Sequence, residues 1–307
     1  MDVVRESNPS VTAAGAPDPA VPADPDEIAE LRRVAVHLAR TAADHVRARR
    51  PEVFGAGEDA EGAVQAKSSP TDPVTVVDTE AEQLIRRMLA DLRPGEQVLG
   101  EEGGGSLGGA GEIVWVVDPI DGTVNFMYGI PAYAVSVAAM RGGRSLAGAV
   151  VDVAAGLVYS AGLGGGATRT EPDGTSIPLR CTEVGEVGMT LLATGFGYGA
   201  ARRARQGQLI GALLPHVRDI RRIGSAALDL CMVAAGRADA HYEHGLNTWD
   251  WAAGALIAAE AGARVVLPPA GTVSKSGELV VAAAPGIAAE LMELFDRLGV
   301  SEAILED

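Results

Sequence analysis

The sequence predicts an α+β half followed by an α/β half, and three observations carry that prediction. A helical pattern begins near residue 25, and β-branched alternating runs crowd residues 113–161. From residue 189 onward, strand-like and helix-like runs take turns. In the first helix, Asp24 is placed as N-cap, Pro25 at the first helical position, and Asp26 and Glu27 in the first turn. Ile28, Leu31, Ala35, Leu38, Ala42 and Val46 follow at helical spacing, and Arg47, Arg49 and Arg50 close the helix where its dipole favours cations. A second helix is read over "TEAEQLIRRMLADL" (79–92), stopped by Pro94 and Gly95. The runs "IVWVVD", "AYAVSVAAM", "LAGAVVDVAA" and "GLVYSAG" read as strands joined by Gly-rich turns such as "RGGRS". Later strands "MTLLATGF", "ARVVL" and "ELVVAAA" alternate with helices "GSAALDLCMVAAG", "TWDWAAGALIAAEAG" and "GIAAELMELFDRLG". No internal repeat is visible.

Residues 1–24 are rich in Pro, Ala and Asp and nearly free of large apolar groups. Such a segment cannot offset the entropy of ordering, so a disordered tail is expected there. The chain then divides into an N-terminal α+β half, 25–180, and a C-terminal α/β half, 181–307.

Its 307 residues suit one or two domains, and 47% hydrophobic with 21% charged residues is the mix of a globular enzyme with a sizeable core. A net charge of -16 disfavours direct contact with nucleic acid or an anionic membrane. No apolar run approaches the ~20 residues of a membrane span. Without a signal peptide, and with only Cys181 and Cys231, the expectation is a cytoplasmic protein with reduced thiols.

Chemistry is concentrated in carboxylates at element ends: Asp72 with Asp78, Glu101 with Glu102, Asp118 with Asp121, and Asp250. Carboxylates and a carbonyl without nearby His or Cys make a hard oxygen site of the kind Mg²⁺ uses. In "DPID" the proline biases Asp118 to an extended conformation, so that Asp118, the Ile120 carbonyl and Asp121 can face one centre. Gly122 and Thr123 offer backbone N–H groups to a phosphate. Taken alone, "DPIDG" is equally well explained as turn chemistry.

The order of the pieces goes further. "KSSPTDPVTVVD" (67–78), "GEE" (100–102), "WVVDPIDGTVNF" (115–126) and "GSAALDLCMVAAGRADAHYEHGLNTWDWAAGALIAAEAGA" (224–263) together resemble the inositol monophosphatase family, in particular its bacterial SuhB-type members. The resemblance covers residues 27 to about 300. It implies a five-layered α-β-α-β-α sandwich, a homodimer, and lithium-sensitive hydrolysis of a phosphate monoester with two or three Mg²⁺ ions. Carried over by position, Glu101, Asp118 and the Ile120 carbonyl hold one ion; Asp118, Asp121 and Asp250 hold another; Glu101 touches a weak third. The Thr123 hydroxyl, oriented by Asp78, aligns the attacking water, and Lys67 lies on a mobile segment that closes over it. Glu243, the Ala226 N–H, Asp121 and Asp250 contact the substrate, with Gly122 and Thr123 at its phosphate. The implied substrate is a small phosphorylated polyol, myo-inositol 1-phosphate.

Alternatives remain at this level. The same chemistry can serve histidinol phosphate, fructose 1,6-bisphosphate or adenosine 3',5'-bisphosphate, although 4% aromatic content tilts against the larger esters. SuhB-type proteins also suggest a partner of transcription or ribosome-assembly machinery, and a structural Ca²⁺ site is the non-enzymatic option. Glu243 can instead be an exposed strand end. "GLGGGA" (162–167) matches a dinucleotide pattern but leads into "TRTEPDGT" rather than a helix, so a hairpin is expected. His241 and His244 lack a third zinc ligand. Arg202, Arg203 and Arg205, with Arg221 and Arg222, read as a solvated basic face.

Overall fold

In the computed structural model, which describes residues 23–55, 63–67 and 71–306, the chain opens with the long helix α1 (Pro25–Phe54). The tail expected over 1–24 lies, except for its last two residues, outside the described residues. Asp24 caps α1 by accepting a hydrogen bond from the Asp26 N–H, and Leu31, Ala35, Leu38, Ala42 and Val46 are buried along one stripe. The helix continues past its arginine cluster and through Pro51.

Strands β1 (Val64–Ala66) and β2 (Pro73–Thr75) form a small antiparallel pair before α2 (Val76–Leu92). α2 begins before the expected Thr79 because Thr75 and Asp78 make a reciprocal capping box. Next come β3 (Gln97–Gly100), β4 (Ile113–Asp121), the six-residue α3 (Thr123–Tyr128), β5 (Ala134–Arg141), β6 (Arg144–Asp152), β7 (Leu157–Gly162), β8 (Ala167–Thr170) and β9 (Ser176–Pro178). These seven strands make one sheet in sequence order, β3 pairing with β4 in parallel and the rest antiparallel.

The remainder contains β10 (Leu191–Thr194), α4 (Ala200–Leu213), β11 (Asp219–Arg221), α5 (Ala226–Ala234), β12 (Ala240–His244), α6 (Thr248–Glu260), β13 (Arg264–Val266), β14 (Leu279–Ala283) and α7 (Ala288–Leu298). Its five strands run β11-β10-β12-β14-β13, mixed parallel and antiparallel.

Three apolar clusters set the layers. Leu38 of α1 and Ile85 of α2 pack on Trp115, Val117 and Val135 of the seven-stranded sheet. The opposite face of that sheet meets α5 and α6 through Ala134, Ala138, Leu230 and Ile257, and those helices reach Ala193, Val280 and Ala282 of the five-stranded sheet. Leu209 of α4 and Leu291 and Phe295 of α7 cover its far side, over Leu192, Tyr242 and Val281. The result is the five-layered α-β-α-β-α sandwich.

Of the arginines expected on a solvated face, Arg203, Arg221 and Arg222 are exposed and Arg205 half-buried, but Arg202 is not on that face. "AARRARQGQLIGAL" is α4, and Arg202 is 1% exposed, with its guanidinium donating to the Ile304 and Ser274 carbonyls and paired with Glu306. A buried guanidinium needs every donor answered, and the acceptors come from the turn at Ser274–Ser276 and from the C-terminal segment at Ile304 and Glu306. "GLGGGA" is the turn between β7 and β8, as its context required.

Candidate active site

The site begins with a fault in β4. Against β5, Asp118 is opposite Ser136 and Asp121 is opposite Ala134, so three residues of β4 span two of its partner. Side chains three apart on a regular strand face opposite ways; one extra residue restores them to one face. Ala134 belongs to the cluster under α5 and α6, and both aspartates open into a cavity on that side. Pro119 is tolerated because a bulge needs no ladder N–H there, and the Asp118 Oδ1 accepts from the Ile120 N–H at 3.0 Å. Gly122 follows at φ 95°, the left-handed region, where a Cβ would also stand 2.9 Å from the Ala132 carbonyl oxygen. Asp-Pro, then Asp-Gly, is therefore the local code for two aspartates turned the same way.

The other acids arrive from element ends. Glu101 follows β3 and donates its N–H to the Val117 carbonyl beside Asp118. Asp78 is the third residue of α2, and Asp250 the third of α6; both close capping boxes, Asp250 with the Asn247 N–H at 2.6 Å. The Thr123 hydroxyl lies 3.1 Å from Asp78 Oδ1 and 3.0 Å from the Ile120 carbonyl. Ser225, the N-cap of α5, donates its hydroxyl to Asp121 at 2.6 Å, as does the Ala227 N–H. The Ala226 N–H also addresses Asp121, so the amide expected to serve substrate is here engaged by that carboxylate. α5 and α6 approach closely because Gly254 leaves no Cβ to meet Leu230, 2.9 Å away.

Lys67 is paired with Glu101 at 2.8 Å and with Glu102. Burial works against its charge, but the two carboxylates outweigh that and raise its pKa. Glu243, far from being an exposed strand end, is buried and reaches the same cavity from β12, together with Asp72, Trp249 and Arg222. This open cavity has a volume of about 1230 Å³, ample for a small phosphate ester with ions and water.

Burial pushes Asp78 and Asp121 up to about 6. It also raises Glu101, Asp118 and Asp250, and the Coulomb repulsion among these acids adds to the effect. As placed, their oxygens turn to protein donors, and among the described residues no three His, Cys, Asp or Glu groups are already gathered as a chelate. The donor set nevertheless fits a hard divalent cation: all oxygen, with several carboxylates sharing one cavity and Lys67 already drawn to Glu101. It does not fit zinc. His241 and His244 face opposite sides of β12, and the His244 Nε2 is spent on the Val300 carbonyl.

Some contributors escaped the sequence reading. Glu82, buried on α2, accepts from the Glu102 and Gly103 N–H groups and pairs with Arg86, so it holds the "GEE" turn. A Cβ on Gly100 would stand 2.4 Å from that carboxylate. Ser225 did carry a signal, as an N-cap serine before an apolar helix.

A profile of the inositol monophosphatase family matches residues 27–299. The inositol-1-monophosphatase SuhB of Mycobacterium tuberculosis is 60% identical over 287 residues, covering 91% of this chain and 98% of that protein. The solved M. tuberculosis SuhB structure superposes with a TM-score of 0.76 at 55% identity, over 89% of this chain and 98% of that one. The Nus factor SuhB of Vibrio cholerae is 34% identical, covering 90% and 99%. The chain belongs to the inositol monophosphatase family and is a phosphoric monoester hydrolase.

Proposed function

We propose that the chain hydrolyses myo-inositol 1-phosphate to myo-inositol and phosphate with Mg²⁺. The observation that carries this reading is the convergence of Glu101, Asp118, Asp121 and Asp250 on one cavity whose wall also holds Thr123 on Asp78. Glu101, Asp118, the Ile120 carbonyl, Asp121 and Asp250 would hold two or three Mg²⁺ ions. When bound, the ions lower the pKa of water and neutralise charge on the attacking and leaving oxygens.

The chain's own groups do the rest. Asp78 takes the Thr123 hydroxyl proton as a hydrogen bond, leaving the Thr123 oxygen lone pairs to orient a water. Lys67 screens Glu101 and Glu102 at the cavity edge, and the Gly122 and Thr123 amides seat the phosphate. Glu243 accepts hydrogen bonds from polyol hydroxyls, while Trp249 excludes water along the wall. Phosphoryl transfer asks mainly for positioning and charge neutralisation, so no His base or Cys nucleophile is needed. Lithium sensitivity, a homodimer and a cytoplasmic location belong to the same reading.

The test is phosphate release from inositol 1-phosphate, histidinol phosphate, fructose 1,6-bisphosphate and adenosine 3',5'-bisphosphate. Preference for inositol 1-phosphate is expected. If another ester is preferred, the substrate assignment fails and the role of Glu243 must be reassigned. Absence of turnover on all four would favour a protein-partner role.

A further inference from the structure

At the cavity wall, Glu243 stands in a row with two side chains that the reaction above does not use, His241 and Asp229. His241 and Glu243 are two apart on β12 and therefore share its inner face, against α5. His241 is fully buried, and among the described residues neither ring nitrogen has a hydrogen-bond partner. Its Nδ1 stands 3.9 Å from the Asp229 Oδ2 of α5, and its Nε2 stands 3.9 Å from the Glu243 Oε2. Asp229 is 1% exposed, and both of its oxygens are likewise unpartnered among the described residues. Behind Glu243 the chain has Gly195, where a Cβ would fall 2.1 Å from Oε2. The carboxyl is thus pressed against backbone on one side and has an imidazole on another. Buried polar atoms left without partners across gaps of 3.9 Å are costly unless some state of the protein joins them.

We infer that His241 positions Glu243 for the polyol, through a buried Asp229–His241–Glu243 row that closes into hydrogen bonds when substrate hydroxyls draw on Glu243. The inference rests on the reading of Glu243 as the polyol's acceptor. A neutral imidazole has one N–H and one lone pair. Nε2–H donates to Glu243, and Nδ1 accepts from a protonated Asp229. Burial keeps the imidazole neutral, pushing it down to about 3, and holds Asp229 well above the usual carboxylate range. Burial also lifts Glu243 to about 8, so a donor from His241 favours the ionised form that polyol hydroxyls need. Asp121 opposes that ionisation and Arg222 favours it. No atom of His241 touches substrate; it is a positioning residue.

The experiment compares His241→Phe, His241→Gln, Glu243→Gln and the His241→Phe/Glu243→Gln double variant on inositol 1-phosphate and on p-nitrophenyl phosphate, which has no polyol. His241→Phe should raise KM for inositol 1-phosphate about tenfold with kcat nearly unchanged, as for one lost hydrogen bond to a charged group. It should leave p-nitrophenyl phosphate turnover alone. The glutamine variant, which keeps a donor, should recover most of the loss, and the double variant should be no worse than Glu243→Gln. If Glu243→Gln itself leaves KM for the polyol ester unchanged, the reading of Glu243 fails. If it raises KM while His241→Phe does not, or if the two losses add, the relay fails and that reading stands. A wild-type measurement avoids any dependence on variant folding: the ¹⁵N resonances of the His241 ring should shift on saturation with myo-inositol plus inorganic phosphate. Unmoved resonances at saturation would overturn the relay.

Discussion

Replacing Asp78 with Asn tests the water-orienting pair and the physics of its burial together. The Asp78 Oδ2 accepts from the Thr75 N–H at 2.9 Å and from the Thr75 hydroxyl, and Oδ1 faces Thr123. An amide keeps one acceptor, which the cap retains, and turns an N–H₂ towards Thr123. The Thr123 hydroxyl must then donate to the Ile120 carbonyl, already 3.0 Å away, and its lone pair is lost to water. Turnover should fall about a hundredfold or more, while half-saturation by Mg²⁺ stays within about twofold. Stability gives a second readout. Burial holds the Asp78 carboxyl at about 6 instead of 3.8. A folded-state pKa above the unfolded value means that the native protein binds more protons across that interval. The associated stability is complete below pH 3.8 and is lost as pH rises through about 6. That loss is worth about 3 kcal/mol, by order of magnitude. In the asparagine variant the side chain does not titrate, so its stability relative to wild type should improve by about that amount between pH 4 and pH 7, in metal-free urea titrations. Turnover near that of wild type would refute the water-orienting role. A large loss of Mg²⁺ affinity would make Asp78 a ligand instead.

Three further outcomes follow from the same geometry. Because Glu101, Asp118, Asp121 and Asp250 all have raised pKa values, the metal-free fold weakens as pH climbs through their folded values, near 6 for Asp121. Mg²⁺ should therefore raise the melting temperature more at pH 8 than at pH 5; an equal rise would argue against binding by these groups. Gly195→Ala places a Cβ 2.1 Å from Glu243 Oε2, so KM for inositol 1-phosphate should rise severalfold with little change in p-nitrophenyl phosphate hydrolysis. Arg202→Met strands the Ile304 and Ser274 carbonyls, and urea unfolding should register a loss of about 3 kcal/mol.

How much of this was legible in the sequence depends on the range of the interaction. The strands and helices with a clean period were readable, because burial of one face imposes that period locally. The start of α2 was not, since Val76 and Val77 are β-branched and only the Thr75–Asp78 capping box overrides them. α4 was hidden by its arginines; whether Arg202 is solvated or buried depends on acceptors about a hundred residues away. In the site, "DPIDGT" revealed the carboxylates, but the bulge that turns both inward is a property of the pairing with β5. Glu82 went unread, and His241 was weighed only as a zinc ligand, because the neighbours of each come from another element, the "GEE" turn for Glu82 and Asp229 of α5 for His241.

If the buried acids hold the cations of the proposed hydrolysis, activity must follow both the metal and its ligands. The most direct test is phosphate release from inositol 1-phosphate by wild-type protein and Asp121→Asn, after chelation and across an Mg²⁺ titration. The expected result is no turnover after chelation, full recovery with Mg²⁺, and a loss of several orders of magnitude in the variant while its fold survives. Turnover that ignores the chelator, or an asparagine variant as active as wild type, would contradict that role for the acids.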